Sequence, residues 1–129
     1  MANVKIDLII RGLCSLVPKV KNMSENITVK SIIGRFLEHA RILYFYDTGN
    51  ERMFISTADW MVRNFDKRIE ILYEIHNLKA KKFLKSILNI NLNDKTAWEL
   101  VKYTYKKPHL DNTSIGSQEL LLKNIQKIL

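Results

Sequence analysis

Apolar and charged positions alternate at the start of the chain and then give way to a continuous apolar run. This pattern, in the VKIDLII of residues 4–10, predicts a β-strand that enters a core, and Arg11-Gly12 closes it. Residues 27–33 are rich in β-branched side chains and predict a second strand. Between the two strands, residues 19–26 are polar without a periodic apolar face, which is typical of an exposed loop.

The middle of the chain predicts a hairpin. After Gly34 the pattern fits either a short helix or a turn into a new strand, and we favour a loop followed by a strand that begins near His39 and runs through ILYFY. Turn-forming residues Asp47, Gly49 and Asn50 come next, and the apolar MFIS segment then completes a hairpin-like pair.

The later part of the chain predicts one more strand and then helices. Residues 68–75 alternate most regularly and predict a strand, whereas residues 78–88 have helical spacing with lysines mostly opposite the apolar face. Residues 96–101 predict a short helical turn, and 118–129 a terminal amphipathic helix. This order predicts an α/β or α+β fold, a mixed β-sheet flanked by helices, in a single domain over residues 1–129.

Charge and cysteine content narrow the possible environment and partners. The chain has 129 residues, of which 21 are Lys or Arg and 13 Asp or Glu, so its formal charge of +8 favours an anionic partner: nucleic acid, nucleotide, polyanion or acidic lipid. Cys14 is the only cysteine, which predicts a reducing, cytoplasmic setting without disulfides. Charged residues interrupt the N-terminal apolar segment, so we expect neither a signal peptide nor a membrane span.

The strongest candidate for chemistry is His39, in the GRFLEHAR segment. Imidazole titrates near neutral pH and can act as acid, base or nucleophile, and Arg35 and Arg41 flank it on either side. Arg11 follows a predicted strand, where a planar guanidinium could bind phosphate oxygens in pairs. The alternatives are a surface histidine at a turn and a surface arginine at a strand end.

Other segments carry weaker signals. STADWMVRNFDKR places alternating charges around an apolar pair, a pattern that an ordinary salt-bridged turn explains. His76 and His109 have no partners at metal-ligand spacing, and no glycine-rich phosphate loop is present, so we predict no metal site.

Four segments in order carry a more specific resemblance: RGLCSLVP, SENITVKSIIGRFLEHARILYF, ISTADWMVRNFDKRIEILYEI and LNDKTAWEL. From about Ile6 to Leu100 the chain resembles the C-terminal domain of the long bacterial polyphosphate kinase family. The resemblance implies a phospholipase D-like fold and reversible transfer of the terminal phosphate of ATP to inorganic polyphosphate through a phosphohistidine intermediate. It also implies that the nucleophilic histidine lies in a preceding domain, so we expect a fragment of a longer chain that is inactive by itself.

The resemblance implies roles for three residues. His39 matches the histidine of the FLEH motif, a general acid or base that stabilises phosphate. Arg11 matches an arginine that contacts nucleotide phosphate, and Arg68 matches a basic position lining the tunnel. Two residues after His39 the pattern asks for lysine, whereas this chain has Arg41. That departure keeps a cation near the phosphate but speaks against lysine-dependent phosphodiesterase chemistry.

The resemblance also implies partners and a cofactor. The partners would be ATP or ADP, polyphosphate and the upstream domains of the same enzyme, with no nucleic acid, and the full-length enzyme would be a homo-oligomer. Mg²⁺ would act with ATP there, and this domain alone would bind no cofactor. Two alternatives stay open: a polyanion-binding or scaffold module without chemistry, and a nucleic-acid-binding domain that uses its basic surface and aromatic side chains.

Overall fold

A computed structural model of the protein describes residues 3–128, with side chains up to residue 124. Strands and helices alternate irregularly along this part of the chain. The strands are β1 (Ile6–Ile9), β2 (Ile27–Ser31), β3 (Ile42–Phe45), β4 (Arg52–Ser56), β5 (Leu72–Glu74), β6 (Trp98–Val101) and β7 (Thr104–Lys106). The helices are α1 (Val62–Lys67), α2 (Leu78–Leu92) and α3 (Ser117–Ile128), and a 3₁₀ turn covers Asp47–Gly49.

The described residues form two compact units. The first unit comprises residues 3–38 and 89–127, and the second comprises residues 39–88 with residue 128. Helix α2 begins in the second unit and ends in the first. The expectation that residues 1–129 form a single domain stays a prediction.

The first unit is built on a mixed sheet of order β1-β2-β6-β7. β1 and β2 are parallel, whereas β6 is antiparallel to both β2 and β7. The parallel pair requires a crossover, and residues 10–26 provide it without a helix. Val29 of β2 and Leu100 of β6 are buried at the centre of this unit.

A buried carboxylate connects this sheet to α3. Asp94, just before β6, accepts hydrogen bonds from the backbone N–H of Thr96 at 2.7 Å and from that of Ser117 at 2.8 Å. Ser117 is the first residue of α3, so the carboxylate satisfies one of the N–H groups that a helix start leaves without an intrahelical partner. Burial raises the pKa of Asp94, but the hydrogen bonds from Ser117 and Thr96 outweigh it, and the net pKa lies below the ordinary value.

The second unit contains an antiparallel sheet of order β3-β4-β5. β3 and β4 form a hairpin in which Ile42 lies opposite Ile55 and Phe45 opposite Arg52. The connecting turn has left-handed backbone at Gly49, with φ of 99°, a conformation that glycine adopts without steric cost. Helix α1 then leads from β4 to β5.

Most of the predicted architecture is confirmed. The structure has the mixed sheet and flanking helices of an α+β fold, with strands β1 and β2, the β3–β4 hairpin and helices α2 and α3 where the pattern placed them. The segment after Gly34 is a loop, as favoured, although the next strand begins at Ile42 rather than near His39. Leu129, the predicted end of the last helix, lies outside the described residues.

Three predicted segments were wrong in type or extent. Residues 96–101 are not a helical turn: Trp98–Val101 form strand β6, because β2 and β7 supply partners on both of its sides. The strand expected over 68–75 is only Leu72–Glu74, since β4 ends at Ser56, opposite Leu72. Beyond that point the Ile71 N–H donates to the Thr57 hydroxyl rather than to a backbone carbonyl, so the regular ladder stops. Helix α1 lies in the segment expected to be a salt-bridged turn.

Candidate functional site

The first predicted site residue, Arg11, lies just beyond the end of β1. Its Nη1 donates a hydrogen bond to the backbone carbonyl of Glu38, at 3.0 Å. Glu38 is the residue before His39, so the guanidinium holds the peptide that leads into the histidine. Arg11 is an exposed residue, which suits a group that would meet a soluble anion.

His39 lies in the loop between β2 and β3 and is exposed. Its two ring nitrogens, Nδ1 and Nε2, are each 3.3 Å from a terminal nitrogen of Arg41. Arginine can only donate, and a neutral imidazole has a single acceptor nitrogen, so only one of these two contacts can be a hydrogen bond at a time. The Arg41 guanidinium thus lies directly beside the His39 ring.

A carboxylate fixes Arg41 in this position. Nε and Nη2 of Arg41 donate to Oδ1 of Asp59 at 3.0 and 2.8 Å. Both side chains are about three-quarters buried, so solvent screens this ion pair less than a fully exposed one. The β3–β4 register explains the encounter: Arg41 directly precedes β3, the N–H of Ser56 donates to the Arg41 carbonyl, and Asp59 follows three residues later.

A second carboxylate organises the segment around α1. Glu70 accepts hydrogen bonds from the Thr57 hydroxyl at 2.5 Å and from the Asn64 side-chain amide at 2.8 Å. These two hydrogen bonds hold the pKa of Glu70 below its usual value, with smaller contributions from the positive charges of Arg68 and Arg41. Glu70 is therefore an anion at neutral pH that both cations help to stabilise.

Arg68, the third predicted site residue, is the first residue beyond α1 and has extended backbone. It is exposed. Its described interaction is the electrostatic one with Glu70.

The structure thus brings His39 and Arg41 together with Asp59, and it links Arg68 to Glu70, all within the second unit. Arg11 belongs to the first unit. The sequence alone indicated Arg41 only as a cation near His39. It did not indicate that Asp59 binds Arg41 or that Glu70 accepts hydrogen bonds from Thr57 and Asn64. The hairpin register was the signal that could have identified Asp59, because the predicted turn already paired the two strands.

The lysines of α2 line a different region of the second unit. A cleft of about 260 Å³ is lined by Lys81, Lys82 and Lys85, together with Tyr44 and Met53. Lys81 donates to the backbone carbonyl of Glu51, and Lys85 forms an ion pair with the Glu51 carboxylate. Two of the three lysines are thus already engaged by the protein.

The described residues also bear on metals and membranes. Between residues 3 and 128, no group of three or more His, Cys, Asp or Glu side chains is arranged to hold a metal ion. In the same part of the chain, no helix combines the length and the apolar character that crossing a bilayer requires.

Comparison with known proteins gives consistent results. Residues 1–118 match the family model described as polyphosphate kinase C-terminal domain 2. The chain is 46% identical over 124 residues to a polyphosphate kinase of Exiguobacterium, an alignment that covers 93% of the chain and 17% of that protein. It is 60% identical over 81 residues to one of Paraburkholderia phytofirmans, covering 63% of the chain and 12% of that protein.

Among solved structures, the chain is similar to the crystal structure of polyphosphate kinase from Porphyromonas gingivalis. The TM-score is 0.88 at 34% sequence identity, with 96% of the chain and 19% of that protein covered. The chain therefore spans less than a fifth of the length of each of these relatives.

Proposed function

This chain belongs to the polyphosphate kinase family, and on that premise we propose that it supplies one half of the active site of an ATP–polyphosphate phosphotransferase. In the proposed reaction the terminal phosphoryl group of ATP moves to a histidine of a preceding domain, with release of ADP. The same group then moves from that histidine to the terminal oxygen of polyphosphate. Both steps run in either direction.

His39 is the proposed acid–base and phosphate-stabilising group of this half-site. The observation that carries the proposal is its exposed ring, with both nitrogens 3.3 Å from terminal nitrogens of a guanidinium that Asp59 holds. Phosphoryl transfer needs positioning and charge neutralisation more than elaborate covalent chemistry, so a fixed imidazole beside a fixed cation suits it. Arg41, held by Asp59, would orient His39 as well as add positive charge.

Arg11 and Arg68 are the proposed phosphate-binding residues. Each is an exposed guanidinium at the end of a secondary-structure element. Guanidinium groups pair with phosphate oxygens through two parallel N–H donors, which gives both affinity and orientation. We assign Arg11 to the nucleotide phosphates and Arg68 to the phosphate chain.

The remaining parts of the proposal concern the longer enzyme. Mg²⁺ would enter bound to ATP, as part of the substrate, and this domain would bind no cofactor by itself. The proposed partners are ATP or ADP, polyphosphate and the preceding domains, in a homo-oligomeric enzyme of the cytoplasm. Family membership is the support for these features.

A titration of the chain with ATP and with polyphosphate, at several salt concentrations, tests the half-site. We expect Arg11→Ala and His39→Ala each to weaken binding about tenfold, some 1.4 kcal/mol. Lys82→Ala is the control, because it removes one exposed positive charge outside the proposed site. Equal affinities for all three variants with a steep salt dependence would contradict a preformed half-site.

The second candidate is a polyanion-binding module without chemistry, which the charge of +8 favours. The lysine cleft on α2 would then provide the contact surface, and Trp60, which is 74% exposed, could stack on a base if the ligand were nucleic acid. On this alternative Lys82→Ala would weaken binding as much as His39→Ala.

A further inference from the structure

The segment that leads into His39 is held by hydrogen bonds from one side chain of α3. Gln118, in the first turn of that helix, accepts a hydrogen bond from the Phe36 backbone N–H at 2.9 Å through Oε1. Its Nε2 donates to the Phe36 carbonyl at 2.7 Å. The amide thus pairs with both backbone groups of one residue, as a neighbouring β-strand would.

The same amide makes a third hydrogen bond, from Nε2 to Oε1 of Glu38 at 2.6 Å. With two donors and one acceptor engaged, both polar atoms of the Gln118 side chain are used on residues 36–38. The Arg11 guanidinium, just beyond the end of β1, also donates to the Glu38 carbonyl. The peptide preceding His39 is therefore held from two elements of the first unit.

Gly34 leaves room for the Gln118 side chain, which we call the clamp because it holds Phe36 and Glu38. A Cβ atom at this position would lie 2.4 Å from Oε1 and 2.8 Å from Cδ of Gln118, far inside van der Waals contact. The backbone of Gly34 is not left-handed, so an alanine would meet no conformational penalty there apart from this clash. The absence of a side chain at Gly34 therefore provides the space that the Gln118 amide occupies.

The clamp itself is anchored in the core of the unit. Asp94, which is buried, binds the backbone N–H of Ser117, the residue before Gln118. The start of α3, and with it the Gln118 backbone, is therefore fixed to the segment before β6. A continuous set of contacts joins Asp94 to the peptide before His39.

We propose that Gln118 is a positioning residue that holds Phe36 to Glu38 in one backbone conformation and thereby presents His39 to the phosphate. This inference rests on the proposed role of His39. Gln118 touches no reacting atom in this scheme and acts through the loop. Without it, the loop would sample several conformations, and phosphate binding would have to select one of them.

The first test measures the clamp without reference to function. Amide hydrogen exchange of Phe36 is compared in the unaltered chain, in Gln118→Leu and in Glu119→Leu, a matched replacement of the next residue on the same helix. Gln118→Leu removes the acceptor of the Phe36 N–H, so we expect its exchange to accelerate about tenfold or more, the scale of one lost hydrogen bond. Unchanged exchange in Gln118→Leu would overturn the inference.

The second test measures polyphosphate affinity of the same chains. We expect Gln118→Leu to weaken binding about fivefold, with little further loss when His39→Ala is added, since substitutions that act through one shared backbone shift couple non-additively. Faster Phe36 exchange with unchanged affinity would overturn positioning while leaving the proposed function intact. If the unaltered chain fails to bind, or binds without dependence on Arg11 and His39, the proposed function fails as well.

A Gly34→Ala variant should displace the Gln118 side chain without any change to Gln118 itself. We expect it to accelerate Phe36 exchange in the unaltered background but to have almost no effect when Gln118→Ala has already vacated the space. Additive effects of the two substitutions would mean that Gly34 serves some purpose other than admitting Gln118, and would count against the clamp.

Discussion

The two units of the chain differ in what stabilises them. In the first unit both apolar and polar groups are buried: Val29 and Leu100 are, and so is the hydrogen-bonded Asp94 carboxylate. Among residues 39–88 of the second unit three apolar residues are buried, large apolar side chains face outward, and ion pairs hold the hairpin. The most exposed of these side chains are Trp60, Val62, Ile69 and Leu78.

This difference suggests a division of labour. The first unit provides a frame whose buried hydrogen bonds are costly to break, and it carries Arg11 and the clamp on the peptide before His39. The second unit carries His39, Arg41 and Arg68 on partly exposed charged anchors. Substitutions in the frame should therefore act mainly on stability, and those at the anchors mainly on ligand binding.

The largest expected effect is that of Asp94→Ala. It leaves the N–H groups of Thr96 and Ser117 without their acceptor in a buried place, so we expect a loss of roughly 3 kcal/mol in the free energy of unfolding. Urea denaturation of the chain measures it. Asp111→Ala is the control, because Asp111 accepts comparable hydrogen bonds from Thr113 and Ser114 on the surface. Equal losses in the free energy of unfolding for the two variants would contradict the special role given to the buried Asp94 carboxylate.

Part of the contribution of Asp94 to the free energy of unfolding should depend on pH. The folded-state pKa of Asp94 lies below its ordinary value of 3.8, so the folded protein binds this proton more weakly than the unfolded chain does. The resulting stability is fully present well above pH 4 and is lost as pH falls through the folded-state pKa.

Melting temperatures between pH 7 and pH 2 test this sign. The unaltered chain should lose more stability on acidification than Asp94→Asn, which has no proton to take up at this position. Parallel curves for the two chains would show that other carboxylates govern acid unfolding.

The smallest expected effect on stability belongs to the Arg41–Asp59 pair. Since both side chains keep some contact with water, we expect a coupling of only about 1 kcal/mol in a double-mutant cycle with alanine. Polyphosphate affinity should fall more than stability does in Arg41→Ala, because the His39 ring loses the guanidinium that lies beside it. A stability loss as large as that of Asp94→Ala, with affinity unchanged, would reverse the proposed division of labour.

Local patterns were sufficient for those parts of the fold that depend on local contacts. The β3–β4 hairpin and helix α2 follow from turn residues and from helical spacing within one segment. Residues 96–101 were misassigned because their strand character comes from β2, more than sixty residues earlier in the chain. No local pattern reports a partner at that distance.

The candidate site shows the same limit. His39 and Arg41 are two residues apart, so their proximity could be expected, and the structure adds that the guanidinium lies within 3.3 Å of both ring nitrogens. Asp59 could be placed only through the register of the hairpin. Gln118 lies at the boundary of a polar loop and a helix, where nothing in the sequence indicates a contact with Phe36, 82 residues away.

The order of strands in the first unit also constrains how the chain folds during synthesis. β2 pairs with β6, and β6 with β7, so the sheet cannot be completed until both late strands have left the ribosome. At about 5–20 residues per second, the roughly 70 residues between β2 and β7 delay completion by about 4–14 seconds. The parallel β1–β2 pair must wait through that interval with one edge open, and an open strand edge is a template for pairing with another chain. This waiting period is when a nascent chain would most need a chaperone.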